Sequence, residues 1–249
     1  MTVSIAIIGK SGSGKTTLTN SLLTALHESH PDKSILLVDN DLTCELGYTF
    51  GIETKDTISE IRSGKYKYKT QIPPNMSKQE YIEWALQDMI INLYDEIDII
   101  ASGMVSTKDC SCFAANQIND ALVKLFKSYD LVIFDCEYDL EYLYQLVDYP
   151  IDVTLIVSDT SLTSVYSAEK IKQLSLKYSS PGQLGLVLNK VKSRQVPENV
   201  SQVLSEYDLN VLGFLPYDEE LENDNIIRDS EVVIEAAKEL LFRLNLPPL

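Results

Sequence analysis

The sequence predicts a single α/β domain over residues 1–249, with a mostly parallel sheet of about seven strands and helices on both faces. Short β-branched runs alternate with stretches of helical periodicity, which is the pattern of βαβ units. The runs are mostly apolar, without regular polar alternation, as expected for strands covered on both faces. A glycine-rich segment, Gly9–Thr16, lies directly between the first run and the first helical stretch, as in a phosphate-binding loop.

The predicted strands are the short apolar runs, and the predicted helices fill the intervals between them. In chain order the strands are Val3–Ile8, Ile35–Val38, Ile97–Ala101, Leu131–Phe134, Val153–Val157, Leu184–Leu188 and Val211–Leu215. The helices are Lys15–Ser29, Lys78–Tyr94, Asn116–Ser128, Thr163–Tyr178, Pro197–Glu206 and Ser230–Asn245.

The least regular part of the sequence is residues 51–75, which carries a basic and aromatic run at Lys65–Lys69 and ends at Pro73 and Pro74. Long stretches without periodicity in a compact domain are loops or functional lids. We expect an insertion or lid here, with a solvated loop as the alternative.

Composition excludes several classes of partner. The 37 acidic and 21 basic residues give a formal net charge of −16, which opposes a phosphate backbone. No apolar stretch approaches the length of a membrane span, and the segment Glu235–Leu249 has only two basic residues, unlike a basic membrane anchor. We therefore expect a cytoplasmic protein with no nucleic-acid or membrane partner.

The segment Gly9–Thr16 matches the Walker A pattern, so the predicted domain is a P-loop NTPase that binds ATP and Mg²⁺. Its glycines let backbone N–H groups turn toward phosphate, Lys15 supplies a positive charge, and the Thr16 hydroxyl ligates Mg²⁺. The predicted nucleotide-binding residues of this loop are Gly9, Ser11, Gly12, Ser13, Gly14, Lys15, Thr16 and Thr17.

Three carboxylates stand where predicted strands end. Asp39 and Asp41 follow the second strand, and Asp135 follows the run Leu131–Phe134 as a Walker B aspartate does. Asp135 is expected to hold Mg²⁺ through water or Thr16. The alternative for Asp39 and Asp41 is a polar loop edge.

Lys10 places a second lysine at the start of the loop, and Asn189 and Pro216 follow the last two predicted strands. This ordered set resembles the deviant Walker A ATPases of the MinD, ParA and nitrogenase iron-protein class. The resemblance implies a homodimer in which Lys10 contacts the partner's nucleotide. It also implies that Asp41 orients the attacking water, Asp39 supports Mg²⁺ through its water shell, and Asn189 and Pro216 contact adenine. For Lys10 alone, a solvated loop lysine is the alternative.

A second constellation is the pair Cys110 and Cys112. Thiolates two residues apart supply half of a tetrahedral metal site. The other half comes from a second copy of the chain across a two-fold axis, or from Cys44 and Cys136. Ordinary thiols are the alternative.

The stretch from Ser102 to Gln117 resembles the cysteine loop of the CooC-type ATPases, which insert nickel into carbon monoxide dehydrogenase. The resemblance implies an ATP-gated homodimer that holds Ni²⁺ or Zn²⁺ between two C-x-C pairs and delivers nickel to a carbon monoxide dehydrogenase-like client. Three alternatives stay open: a partition or positioning ATPase, an iron–sulfur reductase of the nitrogenase iron-protein type, and a small-molecule kinase, for which paired cysteines have no evident use.

One departure from the family pattern concerns the segment after Asp135. The family has a glycine four residues after the Walker B aspartate, whereas this chain has Asp139, with Glu137 nearby. Carboxylates beside a triphosphate are repulsive unless they turn away or share a cation. We therefore expect slow basal ATP hydrolysis. We also expect the segment after Asp135, called switch II in this family, to be rearranged by nucleotide, metal or a client protein. If Cys136 is a metal ligand, nucleotide binding and metal binding would be coupled directly.

Overall fold

The computed structural model describes residues 1–41, 43–63, 72–103, 112–137, 143, 147–178, 181–192, 196–219, 221 and 230–247. These residues form one mixed sheet of eight strands covered by helices on both faces. Within them, no helix is both long enough and apolar enough to cross a membrane.

The sheet confirms the predicted α/β class. Its strands are β1 (Val3–Gly9), β2 (Ile35–Asn40), β3 (Ile91–Tyr94), β4 (Ile97–Ala101), β5 (Leu131–Cys136), β6 (Val153–Asp159), β7 (Gln183–Val191) and β8 (Val211–Pro216). The spatial order is β3-β4-β2-β5-β1-β6-β7-β8. Every neighbouring pair is parallel except β3 and β4, so β1 lies near the centre with its carboxyl end beside those of β5 and β6.

The eighth strand, β3, corrects the predicted helix Lys78–Tyr94. That helix ends at Met89, and Ile91–Tyr94 pairs antiparallel with β4 across a tight turn in which Asp95 has a φ of 46°. Half-buried and exposed residues alternate along β3, which is the two-residue period of an edge strand. The helical spacing of the preceding apolar residues continues into this run, so periodicity alone does not locate the boundary.

The helices match the predicted intervals with shifts at their ends. They are α1 (Lys15–Ser29), α2 (Ile58–Arg62), α3 (Lys78–Met89), α4 (Cys112–Phe126), α5 (Leu162–Tyr178), α6 (Glu198–Glu206) and α7 (Glu231–Leu241), with a 3₁₀ turn at Leu46–Phe50. The largest shift at an N-terminus is in α4, which begins at Cys112 rather than Asn116.

Two apolar cores lie on opposite faces of the sheet. Alternate residues of β1 divide between them, with Ile5 and Ile7 facing α1 and α7, and Ala6 and Ile8 facing the layer that contains α3 to α6. Burial on both faces explains why the strand sequences lack polar alternation. The carboxyl ends of the strands are therefore held rigidly, with loops free to carry polar side chains.

The stretch at residues 51–75 is more ordered than expected. It contains α2, which begins with a capping box between Thr57 and Glu60 and buries Ile58 and Ile61 in the core. The run Lys65–Lys69 lies outside the described residues. An insertion or lid at 51–75 stays a prediction, although this part of it packs as a helix.

Candidate functional site

The glycine-rich loop connects the end of β1 to the start of α1. Gly12 and Gly14 have φ angles of 76° and 95°, in the left-handed region where side chains are disfavoured. The Ser13 N–H donates to the Lys10 carbonyl at 3.1 Å, which closes the turn. The loop therefore leads directly into a helix N-terminus, the arrangement that binds phosphate.

Asn189, at the end of β7, is positioned against this loop rather than free in solvent. Its Nδ2 donates to the Ser13 carbonyl at 2.8 Å, and its Oδ1 accepts from the Lys190 N–H at 2.8 Å. A Cβ added at Gly14 would collide with the Asn189 amide. In this structure Asn189 fixes the loop conformation; the adenine contact implied by the family resemblance stays a prediction.

A cavity of about 260 Å³ opens beside the loop and runs toward the end of β8. Its walls bring Asn189 and Pro216 together with five of the predicted loop residues, Gly12, Gly14, Lys15, Thr16 and Thr17, but not with Gly9, Ser11 or Ser13. They also include residues that the sequence reasoning did not single out: Lys190, Tyr217, Asp218, Leu221 and Val233. Lys190 and Tyr217 directly follow Asn189 and Pro216, and Asp218 comes next, so closeness to the end of a predicted strand was the available signal.

Asp39 and Asp135 lie side by side because they are register partners on β2 and β5. Both are buried, and Asp135 accepts a hydrogen bond from the Thr16 hydroxyl. Burial, followed by repulsion from Asp39, raises the pKa of Asp135 to about 7. Burial likewise raises the pKa of Asp39 to about 6, against hydrogen bonds from backbone N–H groups.

This carboxylate pair fits Mg²⁺. Two buried carboxylates repel each other unless a cation or a proton lies near them, and Mg²⁺ is held by one or two carboxylates together with phosphate oxygens. Asp135, Asp39 and the Thr16 hydroxyl would hold the ion, which supplies neutralisation of phosphate charge when bound. The buried Ser13 hydroxyl has no hydrogen-bond partner among the described residues and faces this loop, as a phosphate-binding group would.

Asp39 also anchors the loop that follows β2. Its two carboxylate oxygens accept from the Asp41 N–H at 3.2 Å and from the Leu46 N–H at 2.9 Å. Asp41 in turn accepts from the backbone N–H and the hydroxyl of Thr43 at 2.9 and 2.7 Å. The Asp41 carboxylate thus closes a local turn here, and its predicted role in orienting water requires that turn to change.

The two lysines of the loop occupy different environments. Lys15 is nearly buried, and its charge acts on Asp135. Lys10 is exposed at the end of β1. Burial works to raise the pKa of Asp159 on neighbouring β6, but hydrogen bonds from Ser161 and Ser164 and the charge of Lys10 outweigh it and lower that pKa. Lys10 is therefore accessible to a second molecule, as a partner-contacting lysine must be.

The cysteines separate by environment. Cys136 is fully buried in β5, where the Asn40 amide contacts its sulfur at 3.7 Å. The Cys44 sulfur lies 3.4 Å from the Asp41 carbonyl and accepts from the Gly103 N–H. Cys110 lies outside the described residues, as does Asp139, and of Cys112 only its place at the start of α4 is described. Within the described residues, no group of three or more potential metal ligands assembles.

Replacing Asp135 by Asn should stabilise the nucleotide-free protein at pH 8 by up to about 4 kcal/mol, since ionising a buried carboxyl costs about 1.4 kcal/mol for each unit by which its pKa is raised, and the pKa of Asp135 rises from its ordinary 3.8 to about 7. The pKa of Asp135 is higher in the folded protein than in the unfolded chain, so the stability of the wild type falls as pH rises from about 4 to about 7. The advantage of the Asn variant over the wild type should therefore vanish near pH 4. Urea titrations at both pH values measure it.

The same variant should lose the extra stabilisation that Mg²⁺ adds to ADP in the wild type. The exposed Asp32, changed to Asn, is the matched control and should leave both quantities unaltered. An Asp135→Asn protein that is less stable than wild type at pH 8, or that keeps the Mg²⁺ effect, would contradict this account of the pair.

The Cys110→Ser/Cys112→Ser variant retains only Cys44 and Cys136 and should react slowly with a disulfide reagent at pH 8. Burial, followed by the charge of Asp39, raises the pKa of the Cys44 thiol to about 11, so about one molecule in a thousand carries a thiolate at that pH. We expect labelling to be about 100-fold slower than for glutathione, and complete in guanidinium chloride. Rapid labelling of one thiol in the folded protein would show that Cys44 is more open.

Comparisons with known proteins support a nucleotide-binding domain. A family model described as the CobQ/CobB/MinD/ParA nucleotide binding domain matches residues 5–226. A relative described as an uncharacterized ATP-binding protein of Methanocaldococcus jannaschii is 31% identical over 223 residues, covering 87% of this chain and 85% of the relative.

Two solved structures share the fold. MinD of Pyrococcus horikoshii, complexed with Mg-ADP, has a TM-score of 0.69 and 20% identity and covers 98% of this chain and 96% of its own. A Borrelia burgdorferi protein assigned to plasmid partition, bound to AMPPNP, has a TM-score of 0.70 and 20% identity, and 98% of each chain is covered. The family model supports the MinD/ParA level of the predicted resemblance, and none of these matches reaches its CooC-type level. The chain belongs to the CobQ/CobB/MinD/ParA family of nucleotide-binding domains.

Proposed function

We propose that this chain is an ATP-driven switch of the MinD/ParA type, which binds Mg-ATP, pairs with a second copy in that state, hydrolyses ATP slowly and acts on another protein. The observation that carries this proposal is the exposed Lys10 at the mouth of a loop whose Lys15 is nearly buried. A buried lysine serves the nucleotide of its own chain, whereas an exposed one is available to a neighbouring chain.

Each residue of the site has a task in that cycle. Lys15 and the N–H groups of the loop bind phosphate oxygens, and the Thr16 hydroxyl, Asp39 and Asp135 hold Mg²⁺. Asp41 orients water once it leaves its turn with Thr43. Lys10 of one copy neutralises phosphate charge in the other, so dimer formation and nucleotide state are linked.

The proposed target is a protein rather than DNA or a membrane surface. The net charge of −16 disfavours both polyanionic partners over the molecule as a whole, with the basic run Lys65–Lys69 as a local exception. Of the partition or positioning alternative, the proposal therefore keeps nucleotide-dependent dimer formation, which needs only nucleotide, Mg²⁺ and two copies of the chain. It leaves out binding to DNA or to a membrane.

Changing Lys10 to Ala should weaken dimer formation with AMPPNP by about tenfold or more, because one phosphate-neutralising charge per site is lost. Affinity for nucleotide in the monomer should change by less than about threefold, since Lys15 remains. Light scattering and a fluorescent nucleotide titration measure the two quantities. Lys55→Ala, at another exposed lysine, is the control, and a Lys10→Ala protein that dimerises like wild type would refute the assignment.

Metal delivery is a second candidate, favoured by the C-x-C pair that ends at the first residue of α4. Thiolates are ligands that Ni²⁺ and Zn²⁺ accept readily. The segment also begins beside the nucleotide site, because the Ser102 N–H donates to the Asp39 carbonyl at 2.9 Å. Movement of the Asp39 loop would therefore reach the chain that carries Cys110. Ni²⁺ or Zn²⁺ would be cargo for a client metalloenzyme such as a carbon monoxide dehydrogenase.

Anaerobic metal analysis tests this candidate. With AMPPNP we expect about one Ni²⁺ or Zn²⁺ per dimer, and with ADP substantially less, because four thiolates meet only in the closed dimer. The Cys110→Ser/Cys112→Ser variant should hold none, and Cys44→Ser should behave like wild type. No metal in any nucleotide state would eliminate metal delivery and leave the switch proposal intact, while a charge-transfer spectrum with iron would indicate a cluster instead.

A further inference from the structure

A second cavity, of about 720 Å³, lies between the edge strand β8 and α7, outside the nucleotide site. Its floor is made of small or aliphatic residues, among them Gly213, Ala236 and Leu240. A Cβ at Gly213 would lie 3.0 Å from Leu240 Cδ1, so the missing side chain is what lets the helix approach the strand. On its rims, Phe214 and Val232 are 40% and 63% exposed. Apolar groups exposed along a groove are typical of a docking surface.

The rim formed by α7 is acidic. Glu231, Glu235 and Glu239 follow one another at intervals of four residues, so they form a row about 12 Å long on one face of the helix. All three are exposed. Lys238 binds Glu235 at 2.6 Å, and the row retains a negative charge on either side of that pair. Lys192 and Arg243 also line the groove, but Lys192 lies over the Tyr217 ring and Arg243 donates to the Leu212 carbonyl. The glutamate row is therefore the side of the groove that favours positive charge in an occupant, beside apolar side chains.

The edge strand is closed to strand addition at its start. The register between β7 and β8 shifts at Leu212, and the Arg243 guanidinium donates to the Leu212 carbonyl at 3.0 Å. A bulge and a covered carbonyl prevent an added strand from continuing along β8. A helix needs no backbone groups from the sheet and fits a groove through its side chains.

We propose that the groove between β8 and α7 binds an amphipathic helix of a protein partner, with apolar side chains on Phe214, Val232 and Ala236 and lysine or arginine residues opposite the glutamate row. Basic residues at every fourth position of the partner match the spacing of the glutamates, because both helices repeat at the same rise. The same row of glutamates would repel an anionic membrane or a nucleic acid. The proposed binding in this groove does not require the proposed nucleotide cycle.

A display library of random 14-residue peptides, selected on the intact protein, tests the proposal. Enriched peptides should combine a net positive charge with apolar residues at helical spacing. A fluorescent copy of the tightest peptide should bind wild type and lose about tenfold or more in affinity to Glu231→Lys/Glu239→Lys, since attraction becomes repulsion. Ala236→Arg should cause a similar loss by filling the floor.

The matched control is Glu198→Lys/Glu206→Lys on α6, which also reverses a first-turn glutamate and a second glutamate eight residues later on an exposed helix. It should change affinity by less than about twofold. Enrichment of acidic or purely polar peptides, no enrichment, unchanged binding to the Glu231→Lys/Glu239→Lys protein, or equal loss in the α6 control would each overturn the proposal. Thermal unfolding of each variant verifies that it is folded.

Discussion

The placement of two carboxylates in neighbouring strands is the constraint on which the site depends. Parallel pairing of β2 with β5 puts Asp39 beside Asp135, and both are buried. The chain carries this unfavourable arrangement because other parts of the site are attached to it. Asp39 holds the next loop through the Asp41 and Leu46 N–H groups, and Asp135 holds the first turn of α1 through Thr16. The two buried carboxylates repel each other, and a bound cation would relieve that repulsion.

Much of the central sheet was predictable, because a strand buried on both faces is an uninterrupted apolar run bounded by polar residues. The Walker A loop was equally predictable from the sequence, since phosphate binding dictates both its residue types and their spacing. The edge of the sheet was not, because Ile91–Tyr94 continues an apolar pattern from α3 and only pairing with β4 makes it a strand. The Asn189 contact with Ser13 was also hidden, as it joins residues far apart in sequence.

The family of the chain is established, whereas its target is proposed, and this difference has a physical reason. A P-loop at the carboxyl edge of a parallel sheet is fixed by backbone geometry, so it survives at 20% identity and identifies the fold. What an ATPase acts on depends on a few side chains outside that frame. In this chain the C-x-C pair and the groove between β8 and α7 lie outside the P-loop frame, whereas Lys10 belongs to the loop itself.

Pro216 forms part of the wall of both the nucleotide cavity and the β8–α7 groove. Its neighbour Tyr217 donates its N–H to the Val191 carbonyl at 3.1 Å and has the Lys192 ammonium 4.6 Å from its ring centre. If binding on one side of this wall changes the affinity on the other side, the second ligand changes the affinity of the first by the same factor. The end of β8 is therefore the place where nucleotide binding and partner binding would affect each other directly, without a chain of intermediate contacts through the fold.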